Sequence, residues 1–167
     1  MSVADHKATS PAAVSCFVLT VSDSRTLATE TSGRAIADLL SGAGHTVVDR
    51  QAVRDEPAEV QRLIREEIDR NRAKVIITTG GTGITSRDST HEALVSLFDK
   101  KLDGFGELFR MLSFEEIGSA AMMSRATAGI IGRTAVFLLP GSEAAVRLAV
   151  TRLIIPELGH IVRELNR

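Results

Sequence analysis

Four short apolar runs, spaced by segments of helical period, constrain this chain more than any other feature. They are VSCFVLTV (residues 14–21), HTVVDRQAV (45–53), AKVIITT (73–79) and TAVFLLP (134–140). Three of them are rich in β-branched and apolar residues without clean alternation, as strands covered on both faces are. The second is more polar and is expected nearer an edge. Between them, TSGRAIADLLSGAG puts Ile36, Leu39 and Leu40 on one face and ends in glycines suited to a C-cap. PAEVQRLIREEIDRN opens with Pro57, tolerated at a first helical position, and spaces Val60, Leu63, Ile64 and Ile68 along one stripe. STHEALVSLF offers Ser89 or Thr90 as a cap. SEAAVRLAVTRLI starts at a Ser142 cap and runs to Pro156, where a helix has to bend or restart. Strand–helix alternation with short connections implies βαβ units and an open, mainly parallel sheet with helices on both faces, an α/β chain.

The length, 167 residues, suits one sizeable core. Residues 14–167 are read as a single domain and residues 1–13, MSVADHKATSPAA, as a flexible tail without a signal-type apolar stretch. No run approaches the roughly 18 consecutive apolar residues of a membrane span, so the expected setting is cytoplasmic. A formal net charge of −1 provides no basic field for nucleic acid or an acidic membrane. With no Trp or Tyr, base stacking has few platforms. The single cysteine, Cys16, lies in an apolar run and reads as a small buried hydrophobe.

In open α/β sheets, ligands bind beyond the carboxyl ends of the strands, near a switch in strand order. The first run is followed by Ser22, Asp23, Ser24 and Arg25, and the second by Arg54, Asp55 and Glu56. The third leads into GGTGITSRDST, with Gly80, Gly81, Thr82, Gly83, Arg87 and Asp88, and the fourth into Gly141, Ser142 and Glu143. Three glycines in four positions leave amide N–H groups unshielded, a nest for an anion or simply a tight turn. The spacing is neither a P-loop nor a dinucleotide fingerprint. Asp23, Asp55 and Asp88 suit Mg²⁺ shared with substrate phosphates, or turn formation and capping. The PGSE exit suits an anion at a helix N-terminus or plain capping by Ser142. The histidines are scattered, and His91 reads as exposed or capping. No Ser/His/Asp arrangement is visible.

Residues 104–132 break the alternation as a mostly helical insertion. They bring Phe105, Leu108, Phe109, Met111, Leu112, Phe114, Ile117, Met122 and Met123, more apolar surface than a small excursion buries alone. A subunit interface is favoured over packing on the parent core. Ser113 and Glu116 have the spacing of a capping box.

The motifs TVSDSRT with a following TSG, TTGGTGITSRD followed by EA, GFGELFRMLSFEEIGSAAMMSRATAG, and LPGS resemble the molybdenum-cofactor biosynthesis family typified by MoaB and MogA. The resemblance runs from about residue 14 to the C-terminus and is nearest to the MoaB members. It implies a three-layer α/β sandwich that assembles as trimers or hexamers. It implies transfer of AMP from MgATP to the terminal phosphate of molybdopterin, before molybdate insertion by a downstream molybdenum-insertion enzyme. On that resemblance Asp55 and Asp88 would be catalytic and hold Mg²⁺. Ser22, Asp23, Ser24, Gly80, Gly81, Thr82, Gly83, Arg87, Gly141 and Ser142 would bind substrate, with ATP as co-substrate. A molybdopterin carrier or scaffold without turnover is the alternative, and a phosphohydrolase a weaker one that lacks an obvious general base. Where the family commonly has proline, this chain has Arg54, His91 and Glu143.

Overall fold

The computed structural model describes residues 2–167. The elements run α1 (Val3–Ala8), β1 (Ser15–Val21), α2 (Ser32–Gly42), β2 (Thr46–Val53), α3 (Pro57–Arg70), β3 (Val75–Thr79), α4 (Thr90–Val95), β4 (Lys100–Lys101), α5 (Asp103–Ile117), a 3₁₀ turn (Gly118–Met123), β5 (Thr127–Ile131), β6 (Thr134–Leu139), α6 (Glu143–Ala149), a π-type stretch (Val150–Ile154) and α7 (Ile155–Leu165). One sheet has the order β2-β1-β3-β6-β5-β4. The first four are mutually parallel, and β5 and β4 run antiparallel at the far edge. Among the described residues no helix is long and apolar enough to cross a membrane.

The expected four strands are present, and the more polar second run is the edge strand β2. Alternate residues of β1 feed two separate apolar layers. Cys16 and Val18 join Ile36, Leu40, Phe109, Phe137 and Leu158 on one face, and Phe17 and Leu19 join Val60, Ile64, Ile76 and Leu94 on the other. Both faces of the strand are therefore dry, which explains why its sequence shows no alternation. Phe105 meets Phe137 edge-on with ring centroids 5.1 Å apart, locking α5 onto the sheet.

The remaining differences from the sequence expectation have local causes. The segment 104–132 is helical only to Met123 and then forms β5. The central residue of that strand is glycine because Phe98 packs across it: a Cβ on Gly129 would lie 2.2 Å from the Phe98 ring. Ser113 lies inside α5 and is buried, so it caps nothing. The helix after Ser142 restarts at Pro156, as expected. It widens by one π-type turn, which absorbs the proline's missing N–H, and resumes as α7. Residues 2–13, part of the expected flexible tail, carry α1, and Lys7 pairs with Glu157 of α7. The Pro11 carbonyl lies against Gly159, where a Cβ would come within 2.5 Å of it. Met1 lies outside the described residues.

The register decides where the chemistry falls. Thr20 stands opposite Thr79, Val21 opposite Val53, and Thr79 opposite Leu139. The chain therefore leaves all four parallel strands at one rim. The direction of winding reverses between β1 and β3, so the first exit and the glycine loop flank the switch point.

Candidate functional site

The glycine loop is built by backbone requirements. Gly80 has φ +90°, and a Cβ there would lie 2.1 Å from the Val21 carbonyl oxygen. Its N–H is spent on Leu139 O at 3.0 Å, so it cannot face a ligand as expected. The amides of Gly81, Thr82 and Gly83 have no acceptor among the described residues. Three consecutive free N–H groups are what an anion needs. The space a Gly83 Cβ would take is filled by the Asp88 carboxylate, 2.3 Å from that position.

Asp88 Oδ2 accepts both the N–H and the hydroxyl of Thr85 at 2.7 Å, closing the loop on itself. These bonds, the hydroxyl's first, hold its pKa below the ordinary carboxylate value, with smaller help from the Arg125 and Arg87 charges. Two residues on, the Thr90 hydroxyl donates to Asp55 Oδ1. Asp23 Oδ1 accepts the Asp55 N–H at 3.2 Å, and Asp23 Oδ2 pairs with Arg87 at 2.9 Å. The exits of β1 and β2 and the loop after β3 are thus laced together through Asp23, Asp55, Arg87 and Thr90. Arg87 is largely exposed and already paired.

The other predicted residues are placed differently. Ser22 turns inward, its hydroxyl accepting the N–H groups of Ser24 and Arg25 at 3.3 and 3.2 Å. Ser24 is exposed. Ser142 caps α6 by accepting the Ala145 N–H at 3.2 Å, and α6 has only seven residues. Gly141 offers its carbonyl to the Ser32 hydroxyl at 2.8 Å. Glu143 pairs with Arg147 one turn on, and that bond, then one from Thr31, lowers its pKa. Arg54 is exposed. His91, expected exposed, is half-buried, with Nε2 2.8 Å from the Arg125 carbonyl; burial, then the Arg125 charge, lowers its pKa. Burial pushes the Cys16 thiol up to about 12, so it is no nucleophile.

A cleft of about 330 Å³ opens beside the loop, between Val21, Ser22, Gly80, Gly141 and the start of α2. Its floor holds two residues that the sequence did not single out. Glu30 is 1% exposed, pairs with Arg50 and accepts the Gly33 N–H at 2.6 Å. Thr20 is 5% exposed and its buried hydroxyl has no partner among the described residues. A buried hydroxyl left open is costly unless something else satisfies it. Glu30 has a faint signal in the sequence, an acid three residues before a glycine that opens a helix. Thr20 has none.

The fit to a divalent cation rests on two oxygens. Asp55 Oδ2 and Asp88 Oδ1 accept no hydrogen bond from the described residues, and both side chains are half-exposed on the same rim. No trio of His, Cys, Asp or Glu side chains forms a cage among the described residues. Such a sparse, hard-oxygen set fits Mg²⁺, which keeps water and shares substrate phosphates.

Known proteins resemble this chain along its length. A family profile described as "Probable molybdopterin binding domain" matches residues 17–160. The Molybdenum cofactor biosynthesis protein B of Bacillus anthracis is 51% identical, over 100% of this chain and 99% of that protein. A crystal structure of a Molybdenum cofactor biosynthesis protein B superposes with TM-score 0.91 at 49% identity, covering 95% of this chain and 99% of the other. The tungsten cofactor synthesizing protein MoaB from Pyrococcus furiosus gives TM-score 0.83 at 41% identity, covering 94% and 99%. With the glycine nest, the laced acidic exits and likeness along the full chain in hand, the protein belongs to the molybdenum cofactor biosynthesis protein B family.

Proposed function

We propose that this protein acts in molybdenum-cofactor biosynthesis as a nucleotidyltransferase, moving AMP from ATP to the terminal phosphate of molybdopterin. The observation that carries the proposal is the pair Asp55 and Asp88, each with one oxygen free on the rim that also holds three unpaired amides. An oxygen of the pterin phosphate attacks the α-phosphorus of ATP, the bond to the β-phosphate oxygen breaks, and pyrophosphate leaves. A phosphate monoester has a second pKa near 6, so the attacking oxygen is mostly deprotonated at neutral pH. No general base is needed for that attack.

The chain's contribution is positioning and charge. The amides of Gly81, Thr82 and Gly83 hold a phosphate by its oxygens. Thr90 and the Thr85 turn orient Asp55 and Asp88, which would hold Mg²⁺. When bound, that ion neutralises phosphate charge. The cleft beside Thr20 and Glu30 takes a polar group of one substrate.

The test is incubation of the protein with molybdopterin and MgATP, with pyrophosphate and the adenylylated pterin as readouts. Product from intact protein, lost in Asp88→Ala, supports transfer. A second reading is favoured by the turn-closing bonds of Asp88: a molybdopterin carrier in which that residue is structural. Pterin binding without turnover, unchanged in Asp88→Asn, selects it.

Self-association belongs to the same reading. Met111, Phe114, Ile117, Met122 and Met123 are 52–81% exposed along α5 and the 3₁₀ turn. So wide an apolar surface calls for a partner, and a second copy of this chain is the partner proposed.

A further inference from the structure

We propose that Arg125 is a positioning residue that clamps the glycine loop over the first turn of α4 and aims its amides. The loop from Gly80 to Asp88 has little to hold it. Its one large apolar side chain, Ile84, is 61% exposed, and the Arg87–Asp23 pair at its end is exposed and correspondingly weak. Arg125 reaches it from the opposite side of the rim. Its Nε donates to the Thr82 carbonyl at 3.1 Å, one terminal nitrogen donates to the Gly83 carbonyl, and the other to the Glu92 carboxylate. One planar fork thus joins two consecutive loop carbonyls to α4, a geometry a guanidinium matches and an ammonium does not.

The clamp is referenced to the sheet. The Arg125 carbonyl lies 2.8 Å from His91 Nε2 and accepts the Thr127 hydroxyl at 2.9 Å, at the start of β5. Ala126 beside it is buried. The pull on the loop has a directional consequence. In a planar trans peptide the N–H points opposite to the preceding C=O. Holding Thr82 O toward Arg125 therefore turns the Gly83 N–H away from it, and holding Gly83 O does the same for Ile84. Arg125 thus fixes the direction of the Gly83 N–H, at the end of the nest, without touching what enters it. Its charge also helps keep Asp88 ionised.

The kinetic arm of the test rests on the proposed nucleotidyl transfer, and the exchange arm does not. Arg125→Ala and Arg125→Lys are compared with the parent chain by hydrogen–deuterium exchange and by adenylyl-transfer kinetics. Arg125→Ala is expected to speed exchange of the hydrogen-bonded Thr85 and Asp88 amides of the loop about tenfold or more while β1, β3 and β6 keep their protection, as a local opening does. It is expected to lower kcat/KM about 10- to 100-fold, the usual effect of losing a supporting group. Millimolar guanidinium restores part of both, and Arg125→Lys is intermediate. Unchanged loop exchange in Arg125→Ala overturns the proposal, as does faster exchange spread evenly through β3 and β6. A parent chain without transferase activity, but with the exchange result as stated, removes the nucleotidyl-transfer reading and leaves the clamp standing.

Discussion

Thr90, the first residue of α4, donates its hydroxyl to Asp55 Oδ1, so the helix after the glycine loop positions the carboxylate beyond a strand two places away in the sheet. Thr90 is 1% exposed, and among the described residues its hydroxyl bonds only Asp55. Thr90→Val keeps the shape and removes the bond. Asp55 stays half-exposed and recovers water, so the expected loss is about 1 kcal/mol, toward the low end for a bond to a charged group. Urea unfolding measures it. Adenylyl transfer is expected to fall by about tenfold or more, since misplacement of a supported group is costly. A variant as stable and as active as the parent would show that Asp55 does not depend on this anchor.

Gly80 and Gly83 separate backbone strain from site geometry. At Gly80 an added Cβ meets the Val21 carbonyl, which the sheet cannot move, and φ is +90°. Gly80→Ala is expected to cost about 1–3 kcal/mol or more of stability. At Gly83 the added Cβ meets only the Asp88 carboxylate, on an exposed loop. Gly83→Ala is expected to leave thermal stability almost unchanged and to lower transfer about as far as Asp88→Ala. If Gly83→Ala unfolds the protein, or leaves it fully active, the assigned packing is wrong.

The histidines set an acid-side slope. His45 Nδ1 accepts the Val14 N–H at 3.2 Å, a bond only the neutral ring can accept, and burial lowers its pKa from 6.5. The unfolded chain then binds the proton first, so stability is complete above about pH 6.5 and falls as pH drops through the lowered value. Half-buried His91 contributes in the same direction. The lowered carboxylates act only below their ordinary range near 4, so scans between pH 7.5 and 5 isolate the imidazoles. His45→Gln, which accepts the same N–H without titrating, is expected to flatten the Tm profile. An identical slope in variant and parent removes His45 from the account.

Met122 is 81% exposed and Met123 56%. The double change to glutamate is expected to dissociate the assembly at micromolar concentration, read by sedimentation, without lowering the unfolding midpoint of the separated chains. A parent protein that sediments as a monomer refutes the proposed interface.

The legible parts of this structure are those set by local chemistry. Pro57 at the start of α3, the Ser142 cap, and the dry runs of β1, β3 and β6 follow from steric and solvation rules that act within a few residues. The segment 127–131 did not read as a strand, because it is short and Gly129, which answers to Phe98, interrupts its β-branched residues. The position of His91, too, is set by what lies across from it, the carbonyl of Arg125.

By itself, the sequence determined which segments are strands with both faces covered, and that each exit carries hydroxyls, carboxylates or glycines. The reason is that hydrophobic period and backbone freedom are properties of neighbours in the chain. Tertiary structure alone decided that Asp23 bridges Asp55 and Arg87, that Gly80 spends its amide on Leu139, and that Arg125 grips the loop. Those pairings join residues 32 to 64 positions apart, and only the register of the sheet, parallel and antiparallel strands together, brings such distant groups within a hydrogen bond's length.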